Sequence, residues 1–149
     1  MKYYGFNESE AANAVDYYRV YYKKRGIYEA PLYDGVKETL TALKSAGRSL
    51  YVATSKPEVF AKEILRYFSI DGYFDHVAGA TLDGNISEKA DVIAYALELS
   101  STDDLNGTIM IGDRKHDILG ANVNGVDSIG VLYGYGSREE LEGAGADYI

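Results

Sequence analysis

The sequence predicts an α/β protein in which a mainly parallel sheet is covered by helices on both faces. Three observations predict it. From residue 36 onward, short apolar runs alternate with segments whose apolar residues recur at helical spacing, the pattern of strand–helix–strand units. The runs "SLYVAT" and "GTIMIGD" are nearly continuous in apolar residues, as strands buried on both faces are. The 149 residues, 46% apolar and 26% charged, suit one domain with a small attachment.

Residues 8–25 read as one helix, capped by Asn7 or Ser9. Glu8 and Glu10 favour its positive end, and Lys23, Lys24 and Arg25 its negative end. Ala11, Val15, Tyr18 and Tyr22 share one face, and Gly26 supplies a stop. Tyr28 to Asp34, with Pro31 inside, reads as a linker. Val36, Leu40 and Leu43 mark a helix ended by Gly47. Ser49 to Thr54 is a strand, and Phe60, Ile64 and Phe68 mark the next helix. Tyr73 to Gly79 reads as a strand, and Asp83-Gly84 as a turn that could close a small hairpin. A helix is expected over about Ser87 to Leu99, a strand over Gly107 to Asp113, and a helix to about Asn124, stopped by Gly125. Asp127 to Gly134 is a strand. Ser137 with Glu140 forms a capping box, and "ADYI" starts one more strand.

Lysine and arginine number 15 and aspartate and glutamate 23, a net charge of −8 that argues against a general nucleic-acid binder. A small anion is still a reasonable ligand, because a few local cations outweigh a distant acidic surface. No apolar run is long enough for a membrane helix. There is no apolar leader after Met1, and zero cysteines exclude a thiol nucleophile or a zinc–thiolate site. The expected location is cytoplasmic.

In a parallel sheet, ligands sit beyond the carboxyl ends of the strands. One such end is "LYVATSKPE". Ser55, Pro57 and Glu58 look like a helix start, with Ser55 to Glu58 at capping-box spacing. Lys56 precedes proline and resists the helical region, which would shift the cap by one residue. Free N–H groups and a hydroxyl there suit a phosphate, and equally suit a plain N-cap. Lys89, in "ISEKADVI", lies in the first turn of a helix, an unfavourable place for a cation unless it faces an anion. The other reading is a solvated lysine. In "IMIGDRKHDILGA" an apolar strand runs into Gly112-Asp113, with Asp117 one turn on. Two carboxylates there suit Mg²⁺; alternatively Asp113 caps the helix and Asp117 is solvated. His76 and His116 read as structural and surface residues.

Together and in this order, these segments resemble the haloacid dehalogenase (HAD) superfamily of Mg²⁺-dependent phosphatases. The resemblance spans about Ala30 to Ile149 and looks most like the branch of phosphoglycolate phosphatases and 5′-nucleotidase-like enzymes. "YDGVKETLTALKSAG" looks like that branch's lead into the core, and "GVLYGYGSREEL" like its late strand and loop. The resemblance implies a Rossmann-like core over residues 30–149 and a partial helical cap over residues 1–29. It implies that Thr54 hydrogen-bonds a phosphoryl group, that Lys89 neutralises phosphate and nucleophile, and that Asp113 with its partner Asp117 holds Mg²⁺. Ser55, Lys56 and Arg114 are candidates to touch the substrate, a small phosphorylated metabolite; Lys56, Arg114 and Lys115 near strand ends equally suit plain solvation, and Tyr133 and Tyr135 could line the pocket mouth.

The family's chemistry begins with an apolar strand ending in Asp-x-Asp-x-Thr, and the first 30 residues offer none. Asp16 lies among helical tyrosines, and two positions before Asp34 stands Leu32. The family fold places that strand mid-sheet, so its two neighbours would lose a partner, at roughly 1–3 kcal/mol for each backbone group left unsatisfied. "GADYI" also resembles a last strand without its usual following helix. The expectation is the body of a HAD phosphatase acting through an aspartyl phosphate, with the nucleophile-bearing strand absent, so that the chain alone is inactive. The rival reading is a non-catalytic anion- and Mg²⁺-binding or regulatory module. A receiver domain is discounted because its acidic pair comes first, and a dinucleotide fold because Gly134-Tyr135-Gly136 lacks a third glycine.

Overall fold

The computed structural model describes residues 5–149. The first four residues of the expected cap lie outside them. Helix α1 (Glu8–Lys24) starts at Asn7, whose side chain accepts the Glu10 N–H while Glu10 reaches back to the Asn7 N–H, a complete capping box. The 3₁₀ turn Gly26–Tyr28 buries Ile27 and ties α1 to the core, with the Tyr28 hydroxyl donating to Glu63. Then follow α2 (Val36–Ser45), β1 (Tyr51–Pro57), α3 (Glu58–Tyr67), β2 (His76–Ala80), α4 (Lys89–Ser100), β3 (Ile109–Gly112), α5 (Lys115–Val123), β4 (Asp127–Gly130) and α6 (Arg138–Gly143).

All strand pairs are parallel, as the alternation of elements requires. They form two separate sheets, β1 with β2 and β3 with β4, rather than one. Helix α4 holds the halves together: it packs on β1 and β2, and also against α5, which covers β3 and β4. Ala78, Val92 and Ala96 form the buried centre of the first half. Ile118, Leu141 and Ser128 are fully buried in the second. Tyr148 makes one parallel bridge to Ile129, so the final strand starts where the sequence suggests.

Between the halves lies a cavity of about 1220 Å³, walled by Tyr51, Val52 and Ala53 of β1 and Ile109, Met110 and Ile111 of β3. Ile109 and Ile111 are 44% and 50% exposed, which is abnormal for isoleucines of a parallel strand. The inner edges of β1 and β3 thus face a common slot instead of a neighbouring strand.

Four local expectations change. β4, expected to reach Gly134, ends at Gly130, because residues 132–134 turn. β1 runs on through Lys56 to Pro57, and α3 is capped at Pro57, without a side-chain cap from Ser55. Lys56 precedes proline and stays extended, so the Ser55–Glu58 box cannot close. β2 begins only at His76, after a 3₁₀ turn over Asp71–Tyr73. The Asp83-Gly84 turn forms with Gly84 at φ +80°, but only Thr81 and Ile86 pair across it and no hairpin strands develop. Among the described residues, no helix is long and apolar enough to cross a membrane.

Candidate active site

The polar residues that end β1 and β3 meet through Lys89. Thr54 pairs with Gly79 at the last regular register position of β1, and the register shifts between Thr54 and Pro57. Its Oγ1 accepts the Lys56 N–H at 3.2 Å, which leaves the hydroxyl proton to donate elsewhere. Lys89 opens α4, and its Nζ donates to the Ala53 carbonyl at 3.0 Å, one residue from Thr54. The same Nζ pairs with Asp117 Oδ1 at 2.9 Å, with the two side chains 13% and 9% exposed. A cation in the first turn of a helix is costly, and a buried carboxylate from α5 offsets the cost. The anion that Lys89 faces is therefore, first, the protein's own.

Asp117 Oδ2 accepts the N–H groups of Asp113 and Arg114 at 3.1 and 3.0 Å. This caps α5 and bends the chain so that Asp113 leaves the strand towards the same end as Lys89. Gly112 permits the turn: a Cβ there would lie 2.2 Å from the Asp117 Cβ. Asp113 is half-buried. Its Oδ2 accepts the Tyr135 N–H at 2.8 Å and its carbonyl accepts the Gly136 N–H at 2.9 Å. Gly134 and Gly136 let this loop press on Asp113, since added Cβ atoms would meet it at 2.3 and 2.2 Å.

The expected convergence of Thr54, Lys89 and Asp113 at one end of the strands is present, linked through Ala53 and Asp117. Two side chains do something other than expected. Asp117, read as a metal ligand, already has a partner on each oxygen; its contacts are those of an orienting residue that holds Lys89 and the Asp113 backbone. Arg114, read as a substrate contact, turns to α6, where its Nε donates to Glu140 Oε1 at 2.8 Å. The carboxylate raises the guanidinium pKa further above its ordinary range. Glu140 also accepts the Lys115 N–H at 2.9 Å, and this bond, then Arg114, lowers its pKa. The Ser137–Glu140 box is consequently half made: Ser137 accepts the Glu140 N–H, but the Glu140 carboxylate serves α5. Ser55 is exposed at the irregular end of β1, and Lys56 is half-buried, with its ammonium donating to the Tyr22 hydroxyl. His76 stacks on Tyr51, a structural role.

The sequence pointed to the loop around Tyr133 and Tyr135 but not to its grip on Asp113, and it did not announce Tyr22 or Glu140 as site residues, because helix and turn patterns do not encode which distant group a side chain will reach. As a magnesium site, the described residues fit in part. Asp113 offers a carboxylate oxygen that takes no hydrogen bond among the described residues, and Mg²⁺ typically uses one or two carboxylates plus phosphate and water. No cluster of three or more acidic or histidine side chains stands together among the described residues.

The family model of haloacid dehalogenase-like hydrolases matches residues 1–131. A 5′-nucleotidase of Pseudomonas aeruginosa is 48% identical over 95% of this chain and 63% of its own length. A tyrosine-protein kinase of Mycobacterium tuberculosis, PtkA, is 41% identical over 93% of this chain and 47% of its own. The crystal structure of a predicted phosphatase from Clostridium acetobutylicum superposes with a TM-score of 0.90 at 51% identity, over 100% of this chain and 68% of that one. The chain thus spans less than two thirds of these two curated relatives. It belongs to the haloacid dehalogenase-like hydrolase family.

Proposed function

We propose that the chain is the body of a Mg²⁺-dependent phosphomonoester hydrolase of the 5′-nucleotidase or phosphoglycolate phosphatase type, acting on a small phosphorylated metabolite in the cytoplasm. The observation that carries the reading is the Lys89 bridge, which ties the end of β1 at Ala53, through Asp117, to the backbone of the Asp113 turn. Thr54 donates its hydroxyl proton to one phosphoryl oxygen, and Lys89 lends its charge to another. Asp113 holds the metal, and Asp117 keeps Lys89 and the Asp113 backbone in place. Bound there, Mg²⁺ offsets charge on the phosphoryl group.

The slot between β1 and β3 takes a parallel strand that brings the nucleophilic carboxylate. That carboxylate attacks phosphorus as the P–O bond to the alcohol breaks, and the second carboxyl of the Asp-x-Asp strand gives the leaving oxygen its proton. Water then cleaves the acyl phosphate, returning the carboxylate and releasing phosphate. Free edges on both strands and the two exposed isoleucines support this reading. The 149-residue chain alone is accordingly expected to be inactive.

The test adds, in trans, a synthetic extended peptide of apolar residues ending in Asp-x-Asp, and assays a panel of phosphomonoesters with Mg²⁺. Turnover only with the peptide is the expected result. Efficient turnover by the chain without it removes the strand from the proposal. Stabilisation by Mg²⁺ and phosphate with no turnover in either case favours a binding module, and phosphate appearing on a tyrosine instead of in solution favours a transferase.

A further inference from the structure

Lys56 differs from the other lysines that the fold draws in. Lys44, Lys62 and Lys89 each pair with a carboxylate, Asp75, Glu58 and Asp117. Among the described residues, no ion pair joins Lys56 to any acid, although acidic residues number 23 in the sequence. Its ammonium is held by a neutral group, the Tyr22 hydroxyl of α1. The ammonium lies 4.8 Å from the Tyr22 ring centre, a distance that the hydroxyl bond already accounts for. The Tyr22 ring is fixed in turn: it stacks on Tyr18 at 5.4 Å and meets Phe60 of α3 edge-on at 6.3 Å.

The placement sets what this charge can reach. The Lys56 N–H bonds Thr54 Oγ1, so the residue is anchored at the phosphate-binding end of β1. Its ammonium reaches the Tyr22 hydroxyl on α1, whereas that of Lys89 reaches the Ala53 carbonyl. A half-buried ammonium without a counter-ion gains from any anion that approaches it.

We propose that Tyr22 and Lys56 form a specificity-determining pair, in which Tyr22 positions the Lys56 ammonium to read a second negative charge on the substrate's leaving group. This rests on the proposed function, because it presumes that the phosphoryl group sits at Thr54, Lys89 and Asp113. The second charge is a carboxylate or a further phosphate, which an ammonium accepts alike. Lys56 contacts the substrate; Tyr22 acts through it.

The test is calorimetric titration of the full 149-residue chain with Mg²⁺ present. The probes are ethyl phosphate, 2-phosphoglycolate and ethane-1,2-diol bisphosphate, which share a phosphoryl end and differ at the other. One or both doubly anionic probes should bind about tenfold tighter than ethyl phosphate, the gain of one charge-assisted hydrogen bond. Which of them gains tells carboxylate from phosphate. Lys56→Met should bring the ratio to about one by removing that bond, and Tyr22→Phe, which keeps the ring but loses the hydroxyl, should shrink it several-fold. A purely structural tie would weaken all probes alike and leave the ratio intact. Equal affinities in the parent, or an unchanged ratio in either variant, overturn the proposal while leaving the phosphoryl site standing. If none of the probes binds, the phosphoryl site itself fails, and the pair with it.

Discussion

Replacing Lys89 with methionine should cost the fold far more than the loss of a surface lysine. The ammonium makes two contacts, with Asp117 Oδ1 at 2.9 Å and the Ala53 carbonyl at 3.0 Å, and both charged side chains are largely buried. Methionine keeps most of the volume but leaves the Asp117 charge without its counter-ion. Removing one partner of a buried pair typically costs about 3–5 kcal/mol, because the other charge is stranded. Asp117 retains two backbone N–H donors on Oδ2, which favours the lower figure, while the orphaned Ala53 carbonyl adds about 1 kcal/mol. The sum is about 4 kcal/mol. At roughly 2–4 °C per kcal/mol for a domain of this size, the melting temperature should fall by about 10 °C. Urea titration followed by circular dichroism gives the free energy directly. A double variant with Asp117→Asn should recover part of the loss, since the stranded charge is then gone. A loss below about 1 kcal/mol would match a solvated ion pair and refute the bridge.

Gly112→Ala should destabilise by about 1–3 kcal/mol in the same assay, because its Cβ would fall 2.2 Å from the Asp117 Cβ and force the cap of α5 apart. In a strand-completed active form, Asp113→Asn should weaken Mg²⁺ binding and lower turnover by about 10²-fold or more, by analogy with the loss of one oxyanion contact; near-normal activity would remove Asp113 from the site. The Glu140 carboxyl is held below its ordinary pKa by the Lys115 N–H and then by Arg114. Its contribution is therefore present above the unfolded-state pKa and lost as pH falls through the lower folded-state value. Glu140→Gln should flatten the acid limb of a melting-temperature profile below about pH 5, and an unchanged limb would count against that latch. Hydrogen exchange should find the inner-edge amides of β1 and β3 fast in the chain alone and slowed when a strand peptide is added.

Alternation of strands and helices, the parallel pairing and the ends of most helices were legible, since they follow from local apolar periodicity and from caps such as Asn7. The convergence of Thr54, Lys89 and Asp113 was legible too, because a parallel sheet puts all its carboxyl ends on one side. What each charge does once there was not. Asp117 looked like a ligand and holds Lys89; Arg114 looked like a substrate contact and is held by Glu140. These outcomes depend on which elements pack side by side, here α4 on α5 and α5 on α6, and no local pattern encodes that. The missing strand was expected to cost its two neighbours a partner, but the outcome, two half-sheets tied through α4 with exposed isoleucines between them, is a matter of packing.

The most direct test of the site is an amide chemical-shift titration of the chain with Mg²⁺ in the presence of inorganic phosphate. Perturbations should concentrate on residues 54–56, Lys89, residues 112–114 and the 134–136 loop that grips Asp113, and should vanish in Asp113→Asn. Saturable shifts centred elsewhere, or none at all, would contradict a phosphoryl and metal site at this end of the strands.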